Sequence, residues 1–112
     1  MDLITTHLNA DFDGLASMIA ARKLYPGSAL VLPGGAQEHV RSFLAVHDVG
    51  LTKLKELDLS QVTRLVLVDT QEPERLGPLK DLCTSPTVSV HVYDHHPDSD
   101  QHHGAVASLR AD

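Results

Sequence analysis

Tryptophan is absent from this 112-residue chain, and Phe and Tyr occur only twice each. A core built around large rings is thereby excluded, and burial must rest on Leu, Val, Ala and Ile. The one cysteine, Cys83, cannot form an internal disulfide; within LKDLCTS it reads as a reduced, partly buried thiol, in keeping with a reducing cytoplasm. No run approaches the roughly 18 consecutive apolar residues of a membrane span. The opening MDLITTH carries an acid where a signal peptide carries a base, and its apolar run is too short for such a peptide. Positive charge is scarce, with nine Lys and Arg against 15 Asp and Glu, for a formal net charge of −6. A broad basic surface tracking a phosphate backbone is excluded, so a phosphate-bearing ligand needs help from cations.

Apolar residues make up 42% of the chain, enough for one hydrophobic core and one domain over residues 1–112. Leu3 to Thr6 is a short apolar and β-branched run. In LASMIAARKLY the apolar Leu15, Met18, Ile19 and Leu24 recur at helical spacing until Pro26-Gly27. Ala29 to Pro33 is strand-like and ends in Gly34-Gly35, and EHVRSFLAVH puts Val40, Phe43, Leu44 and His47 on one helical stripe. LVLVDT, residues 65–70, is a nearly continuous aliphatic run, as expected of a parallel strand covered on both faces. PERLGPLKDLC reads as a helix interrupted at Gly77-Pro78, and VSVHVYDHHP supplies a fourth strand. This alternation predicts an α/β fold, a doubly wound parallel sheet of the Rossmann-like three-layer kind with right-handed crossovers.

On that reading His7 closes the first strand, Asp69 the third and Asp94 the fourth, with His95 and His96 just beyond. Carboxyl ends of parallel strands share one edge, and ligands bind there at the topological switch point. His7, Asp11, Asp13, Asp69, Asp94, His95 and His96 should therefore converge. So many carboxylates without bases repel one another unless cations neutralise them. Oxygen and imidazole donors without thiolate suit Mn²⁺, Fe²⁺, Co²⁺ or Zn²⁺, and disfavour a structural zinc site. Enough carboxylates are present for two ions sharing a bridging ligand.

Plainer roles exist for each residue alone. Asp13, just before a helix, reads as an N-cap, and Asp69-Thr70 as the cap of a turn. His7 reads as a hydrogen-bonded strand-end histidine, and His95 and His96 as loop surface. His102 and His103 read as a polar loop, and Gly34-Gly35 as a turn first and a phosphate cradle second. His39 and His47, within the second helix, are assigned no function.

HLNADFDG, LVLVDT and YDHHP, in that order and each at a strand end, resemble the first three motifs of the DHH phosphoesterase superfamily. The stretch VGLTKLKELDLSQVTRLVLVDTQEPERLG looks most like the DHH modules of bacterial proteins joining DHH, CBS and tRNA nucleotidyltransferase/poly(A) polymerase domains. The resemblance implies that His7 and Asp11 bind one Mn²⁺-type ion, Asp13 and His95 a second, and that Asp69 bridges both; Mg²⁺ and Co²⁺ are alternatives. It implies that Asp94 accepts a hydrogen bond that orients the histidine motif, and that His96 meets the substrate phosphate. The implied activity is two-metal, in-line hydrolysis of a phosphodiester or phosphoanhydride in a nucleotide or short RNA. A metal- or nucleotide-binding regulatory module is the alternative from another class, and a family II pyrophosphatase is a further, less favoured one.

Members of the superfamily carry a fourth-motif aspartate and a carboxy-terminal substrate domain downstream, whereas this chain stops at Asp112. The expectation is an amino-terminal piece of a longer protein, whose further domains are partners, with weak activity in isolation. An exposed sheet edge or apolar face would be open to a second copy of the chain, so a homodimer is also expected.

Overall fold

The computed structural model describes residues 1–94 and the two-residue strand 106–107. Five parallel strands form one sheet: β1 (Asp2–Thr5), β2 (Ala29–Leu30), β3 (Arg64–Val68), β4 (Ser89–Tyr93) and β5 (Val106–Ala107), in the order β2-β1-β3-β4-β5. Helix α1 (Phe12–Ala21) connects β1 to β2, and α2 (Glu38–Val46) follows β2. Short 3-10 turns at Leu54–Glu56 and Leu59–Gln61 lead into β3, and a 3-10 segment, Pro73–Thr84, leads from β3 to β4.

Strand alternation sorts the aliphatic residues between two layers. Leu3, Leu65, Leu67, Val90 and Val92 face Leu76, Leu79 and Cys83 of the 3-10 segment. Ile4, Val66 and Val68 face Met18 and Ala21 of α1, and Ala10, Leu15, Ala36 and Val40 join α1 to α2. A run such as LVLV is thus buried on both faces of a central strand, and each side chain so buried contributes about 1.5–3 kcal/mol. The α/β, doubly wound parallel arrangement expected from the sequence is the observed one.

Several local expectations change. Helix α1 begins at Phe12 and ends before Leu24, which is 64% exposed rather than part of the buried stripe. Val40 is buried on α2, but His47 lies beyond its end and is exposed. β2 is only two residues long, and its outer side is met by an isolated parallel bridge from Leu51 to Leu30, with Thr52 N–H donating to the Leu30 carbonyl at 2.8 Å. The segment after β3 is 3-10 rather than α, because Gly77 adopts φ 55° and ψ −126°, outside helical space, and Pro78 follows it. Among the described residues no helix is long and apolar enough to cross a membrane.

The strand order fixes where a ligand belongs. From β1 the chain moves outward to β2, then returns across to β3 and continues the other way. The connections leaving β1 and β3 lie on opposite faces of the sheet, which opens a crevice between their carboxyl ends.

Candidate metal centre

Two threonines tie the strand ends that frame this crevice. Thr5 Oγ1 donates to the Val31 carbonyl beyond β2 at 2.6 Å, and Thr6 Oγ1 donates to the Val68 carbonyl of β3 at 2.8 Å. Both threonines are fully buried, so their hydroxyls have no water to exchange with and the bonds hold β1 in place between its neighbours. Helix α1 approaches close to Thr6: a Cβ on Gly14 would stand 2.9 Å from Thr6 Oγ1.

The loop between β1 and α1 is pinned from three directions. Leu8 N–H donates to the Arg75 carbonyl at 2.6 Å, Asn9 N–H to the Gly35 carbonyl at 3.0 Å, and Gln37 N–H to the Ala10 carbonyl at 2.9 Å. Gly34-Gly35 is thus a loop packed on this segment. Asn9 and Asp69 are the described non-glycine residues with positive φ, at 56° and 61°. Asn and Asp tolerate the left-handed region better than most residues, yet strain of this kind gathers where a side chain must be aimed.

The structure brings His7, Asp11 and Asp69 together, with one potential ligand atom from each lying within 4.8 Å of the others. His7 Nε2 is 3.4 Å from Asp69 Oδ2 and 3.8 Å from Asp11 Oδ1. On the other side of the ring, Nδ1 lies 2.8 Å from the Leu8 carbonyl. A carbonyl can only accept, so Nδ1 donates to it and Nε2 is the ring nitrogen turned toward the two carboxylates. Imidazoles that hold metals are oriented in this way by a bond from the far nitrogen.

The 3.4 Å between His7 Nε2 and Asp69 Oδ2 is the spacing of two ligand atoms about 2.0–2.2 Å from one ion, whereas Asp11 Oδ1, at 3.8 Å, stands slightly farther out. One nitrogen and two carboxylate oxygens make a donor set suited to Mn²⁺, Fe²⁺, Co²⁺ or Zn²⁺, and three protein ligands leave coordination positions for water or substrate. His7 is buried while Asp11 and Asp69 are half-buried, so the donors are organised from inside and open outward.

Asp94 lies at the end of β4 and is buried, 3% exposed. Gln71 Nε2 donates to Asp94 Oδ2 at 3.2 Å, linking the residue after β4 to the loop after β3. In that loop Asp69 N–H donates to the Tyr93 carbonyl at 2.9 Å, and Thr70 Oγ1 accepts from Glu72 N–H at 3.3 Å. The turn-capping group is therefore Thr70.

Asp13 stands apart from the trio, exposed in the first turn of α1. The N-cap of that helix is Asp11 rather than Asp13: Asp11 Oδ1 accepts from Gly14 N–H at 2.9 Å. The same carboxylate thus caps the helix and faces His7, and the positive end of the α1 dipole lies beside it. His95, His96, His102 and His103 lie outside the described residues. Sequence reasoning passed over Thr5, Thr6, the Leu8 carbonyl and Gln71; the only signal for Thr6 was its place between a strand and an ionisable loop. A separate concavity of about 710 Å³, lined by Leu32, Leu51, Thr52, Lys53, Leu54 and Lys55, includes none of the trio.

With this geometry established, comparison with known proteins is direct. The chain matches the DHH family, N-terminal domain, over residues 3–111, and it belongs to that family. It is 48% identical to the A-adding tRNA nucleotidyltransferase of Geobacter sulfurreducens, over 88% of this chain and 12% of that relative. The chain therefore spans about 12% of the length of the curated protein it resembles. No solved structure matches it.

Proposed function

We propose that this domain is a metal-dependent phosphoesterase unit, acting on a phosphodiester or phosphoanhydride of a nucleotide or short RNA within a longer, cytoplasmic tRNA-processing protein. The observation that carries the reading is the meeting of His7 Nε2, Asp11 and Asp69 at the β1/β3 switch point, with the far nitrogen of His7 held by the Leu8 carbonyl. Membership of the DHH family and likeness to a tRNA nucleotidyltransferase support the class of reaction and the setting.

In this reading His7, Asp11 and Asp69 would hold one divalent ion, Mn²⁺ by preference, and Asp13 and His95 would join Asp69 in holding a second. Bound there, such ions would lower the pKa of water and neutralise charge developing on the phosphoryl oxygens. The protein's own contribution is positional. The Leu8 carbonyl orients the His7 ring, Tyr93 holds the backbone of Asp69, and Gln71 holds Asp94. His96 contacts the substrate phosphate.

Mn²⁺-dependent hydrolysis of the dinucleotide pApA by the chain, reduced by more than about 100-fold in Asp69→Asn, is the expected result. Nucleotide binding with no turnover, in the chain and in the longer protein alike, would instead favour a regulatory module. The exposed position of Asp13, apart from the trio, is the observation on that side.

A further inference from the structure

Next to Asp11 in the chain begins a row of rings that the proposed reaction does not use. Phe12, 41% exposed, sits in the chain between Asp11 and Asp13. Its ring centroid is 5.1 Å from that of His39 and 5.5 Å from that of Phe43, at interplanar angles of 52° and 84°. Phe43 in turn stacks on His47, with centroids 4.5 Å apart and planes 28° from parallel. His39 and His47 are exposed and Phe43 is half-buried, so the row is continuous and open to solvent. The chain's other aromatic residues, Tyr25 and Tyr93, pair elsewhere, on the α1 side of the sheet.

We propose that Phe12, His39, Phe43 and His47 form a stacking ledge for a nucleobase of the substrate whose phosphate is held at His7, Asp11 and Asp69. This deepens the phosphoesterase reading and rests on it. The substrate class it selects is a nucleotide or single strand with at least one unstacked base, not pyrophosphate or a base-free phosphoester.

Two features favour a base as the occupant. Phe12 adjoins Asp11 in the chain, so the ring and the metal-facing carboxylate are carried by consecutive residues, and a phosphate at one places its nucleoside near the other. The row is aromatic rather than aliphatic, and every base offers a π-face to such rings whatever its sequence. Discrimination by such a row comes from stacking, while the phosphate is left to the metal centre.

Phe12→Leu keeps apolar bulk and removes the ring at an exposed position, and His39→Ala removes the neighbouring exposed imidazole. Phe43 packs against the Leu15 and Val40 cluster and is left intact to protect folding. Mn²⁺-dependent kcat/KM would be measured for pApA and for an analogue with the same phosphates and no bases. Phe12→Leu should lower the ratio between the two substrates on the order of 10-fold. A 2-aminopurine dinucleotide mixed with the chain and Mn²⁺ should lose fluorescence on binding, and that quenching should fail in Phe12→Leu.

Equal loss on both substrates would overturn the ledge and assign the rings to packing, and a wild-type chain indifferent to the bases would overturn it as well. Absent hydrolysis, in the chain and in the longer protein alike, with Phe12-dependent quenching would sink the phosphoesterase reading and leave the ledge standing. Absence of both would overturn the ledge too.

Discussion

His7 Nε2 lies 3.4 Å from Asp69 Oδ2, although 62 residues separate them in the chain. The distance follows from topology. β1 and β3 are adjacent and parallel, in register from Asp2 with Arg64 to Thr5 with Leu67, so their carboxyl ends coincide. Thr6 Oγ1, bonded to the Val68 carbonyl, fixes the last residues of both strands before each loop turns inward.

The closeness of α1 to β1 predicts a cost where helix propensity predicts a gain. Gly14→Ala should add about 1 kcal/mol of helix stability in isolation. Its new Cβ would meet Thr6 Oγ1 at 2.9 Å and Thr6 Cγ2 at 3.3 Å, and Thr6 is buried and bonded, so it cannot turn away. Overpacking of this kind costs about 1–3 kcal/mol. Chemical denaturation should show net destabilisation of up to about 2 kcal/mol, and Mn²⁺ affinity should fall with it because Asp11 caps the displaced helix. A more stable variant would contradict this packing.

Gly77→Ala should also destabilise, for a different reason. Its φ of 55° with ψ −126° is a conformation that a residue with a Cβ adopts only under strain, of about 1–3 kcal/mol. The Leu8 methyl 3.0 Å from the new Cβ ends a flexible, 37% exposed side chain and can give way. Gly34→Ala meets the same methyl, at 2.7 Å, without positive φ, and should cost less than Gly77→Ala in the same denaturation experiment.

Burial pushes the Cys83 thiol up to about 11, with the Glu74 carboxylate adding to the shift. The nucleophilic thiolate is thus scarce at neutral pH, and the side chain is 1% exposed. Ellman's reagent should react with Cys83 only at the rate of unfolding in native buffer, and rapidly in denaturant. Fast native labelling would show that the 3-10 layer opens.

His91 faces α1 from β4, with Nδ1 2.8 Å from the Tyr25 hydroxyl, which lies 2.7 Å from the Tyr93 hydroxyl. Arg64 stacks 5.0 Å over the Tyr25 ring and pairs with Asp2. Burial first, and the Arg64 charge second, hold His91 below the ordinary imidazole range, partly offset by Asp2. Because the folded value is the lower one, the unfolded chain takes the proton first. The contribution is complete above the unfolded pKa of about 6.5 and is lost as pH falls through the folded value. Stability measured from about pH 7 down to 5 should fall more steeply in the wild type than in His91→Gln, whereas parallel slopes would remove His91 from the account.

The sheet was legible because aliphatic runs such as LVLV have few alternatives, and the trio because His7 and Asp69 lie just past strand ends. Asp11 rather than Asp13 caps α1 because the side chain reaches three residues forward to Gly14, and the helix starts earlier than its apolar stripe. Propensity pointed to a helix after β3, but one left-handed glycine beside a proline breaks the chain there. The supporting bonds from Thr5, Thr6, Leu8 and Gln71 depend on long-range placement, which a linear pattern does not encode.

The central claim, that His7, Asp11 and Asp69 form a cation site, is tested most directly by calorimetric titration of the metal-free chain with Mn²⁺, beside Asp69→Asn. Saturable binding is expected, weakened by more than about 100-fold in a variant that retains the wild-type circular dichroism. Equal affinity in the two proteins, or no binding by the wild type, would contradict it.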